Sequence, residues 1–370
     1  MRHRRLTFSK LIGTDQQQQL VRDMLDRWNG GRGLRVLADR IDDAPDACIE
    51  VSTSGSTGPA PKVVRRSFDS WRNSIAANRN LFDYASNDVF AVLGGLSHSL
   101  TAYAVIEAAH CRSGLILGGG MGRKALQTSL TRATILHATP TQLRSIAPLG
   151  PFPNVRLVLI GGGSLDDATA TTLSDAFPNA TRSVYFGTSE ASFVTISDDT
   201  TPRSSVGTAY PDVEIEVRDI TQGYGEIWVK SPYLFDGYAQ GDDPMTKVVD
   251  GWLTVGEMGY LDDDGNLYLV GRKNRMFTSA DINIFPEAIE NEIKNLTGIE
   301  TAAVLPKPDA ARGAVPICFY SGTLSPEALA EIANPRLPVP IRQFIQLTDW
   351  PLLAAGKTDL QALAKHEALT

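Results

Sequence analysis

The densest run of phosphate-binding chemistry in the chain is residues 53–62, Thr-Ser-Gly-Ser-Thr-Gly-Pro-Ala-Pro-Lys. Thr53, Ser54, Ser56 and Thr57 offer hydroxyl donors, Gly55 and Gly58 let the backbone close on an anion, and Lys62 adds a mobile positive charge. The run follows an apolar stretch, 48–53, that reads as a buried strand. On composition alone a polar surface turn accounts for it equally well. Spacing excludes the better-known nucleotide loops. A Walker A loop needs a second glycine five residues after the first, and five residues past Gly55 stands Ala60. Gly356-Lys357-Thr358 ends like such a loop, but its first glycine would fall at Pro351. There is no GxSxG nucleophile elbow, and Gly118-Gly119-Gly120-Met121-Gly122 lacks the dinucleotide-binding spacing.

The elements that must position this loop alternate in type. Residues 1–46 read as helix and loop, with the glutamines 16–19 on a solvated helix face. Residues 68–81 read as a helix capped by Ser67, and 102–109 as another. Short apolar runs at 89–93, 115–117, 134–137 and 156–160 read as buried strands. Such alternation implies a parallel sheet with helices on its faces, an α/β fold. After about residue 205 the pattern changes. Runs at 213–218, 225–229 and 266–270 read as antiparallel or barrel-type strands, with Asp262-Asp263-Asp264-Gly265 as a hairpin turn. The charged stretch 271–275 reads as a linker, followed by an α+β tail with a helix at 286–296, a strand at 301–305 and a last helix after Thr358. Two domains are expected, a large one at 1–271 and a small one at 272–370.

Bulk properties narrow the function. The 370 residues suffice for two or three domains, and 42% hydrophobic with 21% charged residues is ordinary for a globular protein. A net charge of −7 argues against a nucleic-acid partner held by phosphate contacts. Cys48, Cys111 and Cys318 show no metal-binding spacing and fit a reducing, cytoplasmic setting. The basic start Met1-Arg2-His3-Arg4-Arg5 has no apolar run after it, and nothing approaches the roughly 20 apolar residues of a membrane span.

Further segments stand in order behind the loop. They are Leu96-Ser97-His98-Ser99, Ala138-Thr139-Pro140-Thr141-Gln142-Leu143, Val158-Leu159-Ile160-Gly161-Gly162-Gly163, Phe186-Gly187-Thr188-Ser189-Glu190, Trp252-Leu253-Thr254-Val255-Gly256-Glu257, Gly271-Arg272 and Pro351-Leu352-Leu353-Ala354-Ala355-Gly356-Lys357. Together with the loop they resemble, from about residue 48 to 360, the adenylate-forming superfamily of acyl-CoA synthetases, luciferases and adenylation domains. The short form resembles compact acyl or aryl acid–CoA ligases. The resemblance implies a large layered αβ domain with parallel sheets and a small barrel-like subdomain, and a small mobile C-terminal α+β domain carrying the catalytic lysine.

It also implies roles. Lys357 is the adenylation lysine and Glu190 the Mg²⁺ ligand. The loop holds the ATP phosphates. Gly162, Gly163, Phe186, Gly187, Thr188, Ser189, Glu257 and Arg272 lie around adenine and ribose. His98 and Gly161 border the acyl pocket, Asn274 is the hinge about which the small domain turns, and Ala280 and Asp281 lie on the approach of the thiol donor. The implied partners are ATP, Mg²⁺, a small-molecule carboxylic acid and CoA, or the phosphopantetheine of a carrier protein. A non-catalytic nucleotide-binding relative is the rival of another class. This chain departs from the family in five places. Pro59-Ala60 inserts one residue before Pro61-Lys62, Glu257 replaces an aspartate, Asn274 stands where the hinge is usually aspartate or lysine, Asp281 replaces a glycine, and few residues precede the loop. No carboxylate stands at 94–99 to hold a substrate ammonium; Asp166 and Asp167 read as a helix start and Phe193 as core or an apolar pocket wall.

Overall fold

The computed structural model describes residues 5–53, 62–163, 165, 167–202, 204–352 and 358–369. The chain falls into two compact units: Met1–Glu216 with Trp228–Leu253 and Leu261–Tyr268, and Val217–Ile227 with Thr254–Tyr260 and Leu269–Thr370.

The first unit is built on an eight-stranded sheet. Its order is Lys10–Ile12, Gly114–Leu117, Val89–Val92, Ile135–Ala138, Leu157–Ile160, Thr181–Thr188, Ser192–Ser197 and Thr208–Ala209. Neighbours are parallel as far as Thr181–Thr188, and the last two strands join antiparallel. The short apolar runs follow from burial on both faces. Phe90 and Val92 enter one core and Ala91 the other, and the same alternation separates Leu157 and Leu159 from Val158 and Ile160. One core contains helices Asp15–Asn29, Phe68–Phe82 and Ser99–Cys111 and the inner face of a second sheet, through Leu34, Val36, Ile49, Val51 and Val64. The other core packs against helices Arg123–Leu130, Pro140–Ile146 and Asp167–Ala176. Helix Ser99–Cys111 is buried on nearly every side, as its apolar composition requires. Its one acid, Glu107, accepts from Asn78 Nδ2 at 2.6 Å through Oε1, and its Oε2 lies 2.9 Å from His137 Nε2 without a hydrogen bond between them. Phe193 belongs to the same core, with its ring 4.5 Å from that of Tyr185.

The second sheet runs Gly237–Gln240, Val63–Ser67, Cys48–Ser52, Gly33–Val36 and Ile41–Ala44. Ser67 caps helix Phe68–Phe82 as its sequence predicts, accepting from the Ser70 amide at 3.1 Å. The first 46 residues depart from the expected helix and loop, since they contribute the strands Lys10–Ile12, Gly33–Val36 and Ile41–Ala44. These are three or four residues long and Ile41–Ala44 is half acidic, so no apolar run marks them. The glutamine run is not merely solvated. Gln17 closes a capping box with Thr14 and donates to the Gly119 carbonyl at 2.6 Å. All three cysteines are buried thiols, and burial pushes that of Cys111 up to about 12.

The second unit holds the hairpin Phe277–Ser279/Ile282–Ile284, helices Pro286–Lys294 and Pro326–Ala333, and a sheet of Ile299–Asp309, Gly313–Gly322 and Gln343–Gln346. Ile289, Ile293, Val304, Cys318, Tyr320 and Leu329 form its core. Arg275, expected in a linker, is instead anchored. Its guanidinium meets Glu290 at 2.6 Å and Glu287 at 3.1 Å, while the Val304 amide also donates to Glu290 at 2.8 Å. In the first unit, Asp262 accepts from the amides of Asp264 and Asn266, making the expected turn.

At the amino ends of the parallel strands of the first unit, buried Asp88 ties its own strand to three others. It accepts from Arg156 at 2.7 and 3.0 Å and from Thr134 at 2.7 Å, and its carbonyl accepts from the Gly114 amide. Burial pushes the Asp88 carboxyl up, but the Arg156, Ala85 and Thr134 hydrogen bonds outweigh it and hold the group below its usual range. A carboxyl depressed in the folded state stabilises the protein above its unfolded pKa, about 4, and loses that contribution as pH falls through the folded value. Asp88→Asn should therefore lower unfolding free energy by about 1–3 kcal/mol at pH 7. Urea titrations at pH 7 and pH 3 should show the gap between variant and parent narrowing in acid.

Candidate active site

In the second sheet, Cys48–Ser52 and Val63–Ser67 pair antiparallel, and the ladder continues to the Thr53 amide donating to the Lys62 carbonyl at 2.8 Å. Ser54, Gly55, Ser56, Thr57 and Gly58 lie outside the described residues. Thr53 Oγ1 is buried without a hydrogen-bond partner among the described residues, so an acceptor brought to the loop would satisfy it. Ser52 also bridges to His98, the exposed N-cap residue of helix Ser99–Cys111. The positive end of that buried helix therefore stands beside the loop's entrance, a favourable place for an anion.

The other expected segments of this unit leave the carboxyl ends of the parallel strands, where ligands of open α/β sheets bind. Gly161 follows Leu157–Ile160, its amide bonded to the Ala138 carbonyl at 3.2 Å. Gly162 has φ +79°, and a Cβ there would touch Thr139; one on Gly161 would lie 3.8 Å from Leu100. Phe186 and Gly187 sit at a bulge where Thr181–Thr188 turns back into Ser192–Ser197. Gly187 is obligatory there, because a Cβ would stand 1.9 Å from the Ser192 carbonyl oxygen. The turn is closed by the Ala191 amide donating to Thr188 Oγ1 at 3.1 Å. Ser189 and Glu190 lie in it, and Glu190 is buried.

Glu190 reaches the loop through residues that sequence reasoning missed. The Tyr238 hydroxyl donates to Glu190 Oε1 at 2.8 Å and lies 2.9 Å from Thr246 Oγ1. The Lys62 ammonium is ion-paired with Asp243 and lies 5.8 Å from the centre of the Tyr238 ring. Burial raises the Tyr238 phenol well above its ordinary value, so it stays protonated and donates. Gly237 and Gly241, which bracket Tyr238, and Asp242-Asp243-Pro244 after them are the local signal of a special turn.

In the second unit, the residues expected at the ribose meet each other. Arg272 Nε and Nη2 each lie 2.9 Å from Glu257 Oε1. Lys273 Nζ donates to buried Glu226 at 2.8 Å, and Glu226 accepts from Thr254 at 3.1 Å, so residues 272 and 273 are tied to the segment 254–257. Asn274 is exposed in the turn that follows, where the Arg275 amide donates to the Arg272 carbonyl. Ala280 and Asp281 form the hairpin tip at φ +47° and +64°, and Asp281 is exposed. Lys357 lies outside the described residues. The chain on either side is held, with Leu352 paired to Thr358, Thr358 Oγ1 accepting from Trp350 Nε1 at 3.0 Å, and the Asp359 amide donating to Pro351.

This chain belongs to the AMP-binding enzyme family, whose sequence model matches residues 11–239. It is 31% identical to the uncharacterized acyl–CoA ligase YhfT of Bacillus subtilis, over 82% of this chain and 65% of that protein. It is 30% identical to the 2-succinylbenzoate–CoA ligase of Lactococcus lactis, over 80% of this chain and 66% of that protein. Its fold matches the Bacillus subtilis o-succinylbenzoate CoA synthetase in complex with the acyl-adenylate OSB-AMP, with a TM-score of 0.76 at 23% identity, covering 86% of this chain and 69% of that one. The chain thus spans about two thirds of the length of the curated relatives it matches.

Gly187→Ala should destabilise the protein by about 2 kcal/mol or more in urea unfolding, because backbone must move to admit the methyl group. Gly163→Ala, whose Cβ would make ordinary contact with Pro140 at 3.6 Å, should change stability by less than about 0.5 kcal/mol.

Proposed function

We propose that this chain is an AMP-forming acid–thiol ligase that activates a carboxylic acid with ATP and passes the acyl group to a thiol, that of CoA. The observation that carries this reading is the meeting of Glu190, Tyr238 and Lys62 beside the hydroxyl-rich loop, in a chain of the AMP-binding family. The curated relatives, CoA ligases by name, and a matching fold that holds an acyl-adenylate support it.

The chemistry follows from charge. The acid is ionised near neutral pH, and its oxygen attacks the α-phosphorus of ATP. The new acyl–O–P bond forms as the α–β bridging P–O bond breaks, and pyrophosphate leaves with the electron pair. Two anions must approach, so positive charge and hydrogen-bond donors have to be in place beforehand. The Thr53 hydroxyl and the loop would receive the β- and γ-phosphates. The residues present fit a magnesium ion: Glu190 offers one buried carboxylate, and no cluster of three acidic, histidine or cysteine side chains exists among the described residues, so phosphate and water oxygens would complete its shell. When bound, it would neutralise charge on the phosphates. Lys357 is assigned to the carboxylate and α-phosphate, and Glu257 with Arg272 to the ribose. In the second half-reaction the thiol sulfur attacks the acyl carbon, AMP departs and the thiol proton is released to solvent.

A panel of aliphatic, aromatic and dicarboxylic acids, scored for pyrophosphate release with CoA, with hydroxylamine or with neither, tests the reading. Acid-dependent pyrophosphate release with formation of a CoA ester is expected. Hydroxamate without a CoA ester would remove the thiol step, and no release with any acid would leave a non-catalytic nucleotide binder. Lys357→Ala should abolish adenylate formation while nucleotide binding persists; full adenylation by this variant would reassign the lysine.

Asp281 sits at a backbone conformation that glycine adopts without strain. On the proposed thiol approach its carboxylate also crowds the incoming thiol. Asp281→Gly should therefore accelerate thioester formation from preformed adenylate without loss of stability, as read by single-turnover kinetics and urea unfolding.

A further inference from the structure

Residues 237–246 touch both chemical ends of the candidate phosphate site. Their strand is paired to Val63–Ser67, with Gly237 opposite Arg65 and Tyr238 opposite Val64, and it bulges before Gln240. Just upstream, the Phe235 amide donates to the Glu190 carbonyl at 2.8 Å. Gly241 then turns the chain at φ +71°, where a Cβ would press on Lys62 Cγ at 3.2 Å. The turn delivers Asp243 to the Lys62 ammonium, and both side chains of the pair are largely buried. The remaining polar atoms of Asp243 are used locally. Oδ1 accepts from the Met245 amide at 3.0 Å and the carbonyl accepts from the Thr246 amide at 2.9 Å. Thr246 Oγ1 meets the Tyr238 hydroxyl, which donates to Glu190 Oε1. The chain of contacts runs Lys62, Asp243, Thr246, Tyr238, Glu190.

We propose that residues 237–246 are a positioning arm for the Glu190 carboxylate, and that Lys62 anchors this arm through Asp243 instead of serving as a phosphate ligand. The inference rests on the adenylating reading above. Drawing Lys62 away to a phosphate would leave the Asp243 carboxylate largely buried, unpaired and close to a polyanion, which is costly. Kept on Asp243, Lys62 fixes the turn and lies near the ring whose hydroxyl orients Glu190. Tyr238 is a positioning residue: its hydrogen bond sets which way the carboxylate faces.

Calorimetric titration of the full chain with α,β-methylene-ATP, in Mg²⁺ and in EDTA, tests this. In Mg²⁺, Lys62→Met and Asp243→Asn should each weaken binding about fivefold or more, and the double variant should be no weaker than the worse single one. Tyr238→Phe, which keeps the ring and is the variant least prone to misfold, should weaken binding in Mg²⁺ about fivefold and leave it unchanged in EDTA. Three results would overturn the inference: tighter binding by Asp243→Asn, losses that multiply in the double variant, or a Tyr238→Phe effect that is absent or equal in EDTA. Wild-type protein that fails to bind the magnesium nucleotide would overturn the adenylating reading and this inference with it, whereas the three results above, obtained with a wild type that binds, remove the inference alone.

Discussion

The candidate site depends on one strand pairing between residues far apart in the chain, Val63–Ser67 against Gly237–Gln240. The first strand leaves the hydroxyl-rich loop, and the second carries Tyr238. Because their register sets Tyr238 opposite Val64, the tyrosine ring comes near Lys62 while its hydroxyl reaches Glu190 on a turn of the other sheet. A shift of one residue would send Tyr238 to the opposite face and separate the carboxylate from the loop. Hydrogen bonds along the hairpin Cys48–Ser52/Val63–Ser67 hold the first strand, and the bridge from Ser52 to His98 ties it to the buried helix Ser99–Cys111.

The rest of the first unit works as a rigid base for that edge. The parallel strands are welded at their amino ends by Asp88, Arg156 and Thr134, and their carboxyl ends are left to the turns that carry Gly161–Gly163 and Phe186–Glu190. Rigidity matters because stabilising the approach of two anions requires donors that are already in place; donors that must reorganise give back much of what they contribute. The glycines serve the same end. Gly187 lets two backbone segments come closer than any side chain would permit, and Glu190 is thereby held in a tight turn.

Much of this was legible in the sequence, and the limits were physical. Strands such as Leu157–Ile160 are buried on both faces and so announce themselves as apolar runs, and Ser67 caps its helix by a local rule. The loop and the Glu190 turn are short segments whose chemistry is contained in a few adjacent residues. The partners of Lys62 and Glu190 were not legible, because nothing in local composition relates residue 243 to residue 62 or 238 to 190; only the sheet register does. The three short strands of the first 46 residues failed for the opposite reason: they are too brief and too polar to carry a period. Arg275 looked like part of a charged linker because the buried acids that receive it, Glu287 and Glu290, lie on the next helix.

The central claim is that the acid is activated as an acyl-adenylate, and the fate of its oxygen tests that most directly. With ¹⁸O-carboxylates of the acids in the panel, ATP and hydroxylamine as acceptor, mass spectrometry of the products should find one ¹⁸O atom in AMP for each hydroxamate formed. Label in inorganic phosphate, or in neither AMP nor pyrophosphate while hydroxamate accumulates, would contradict the account.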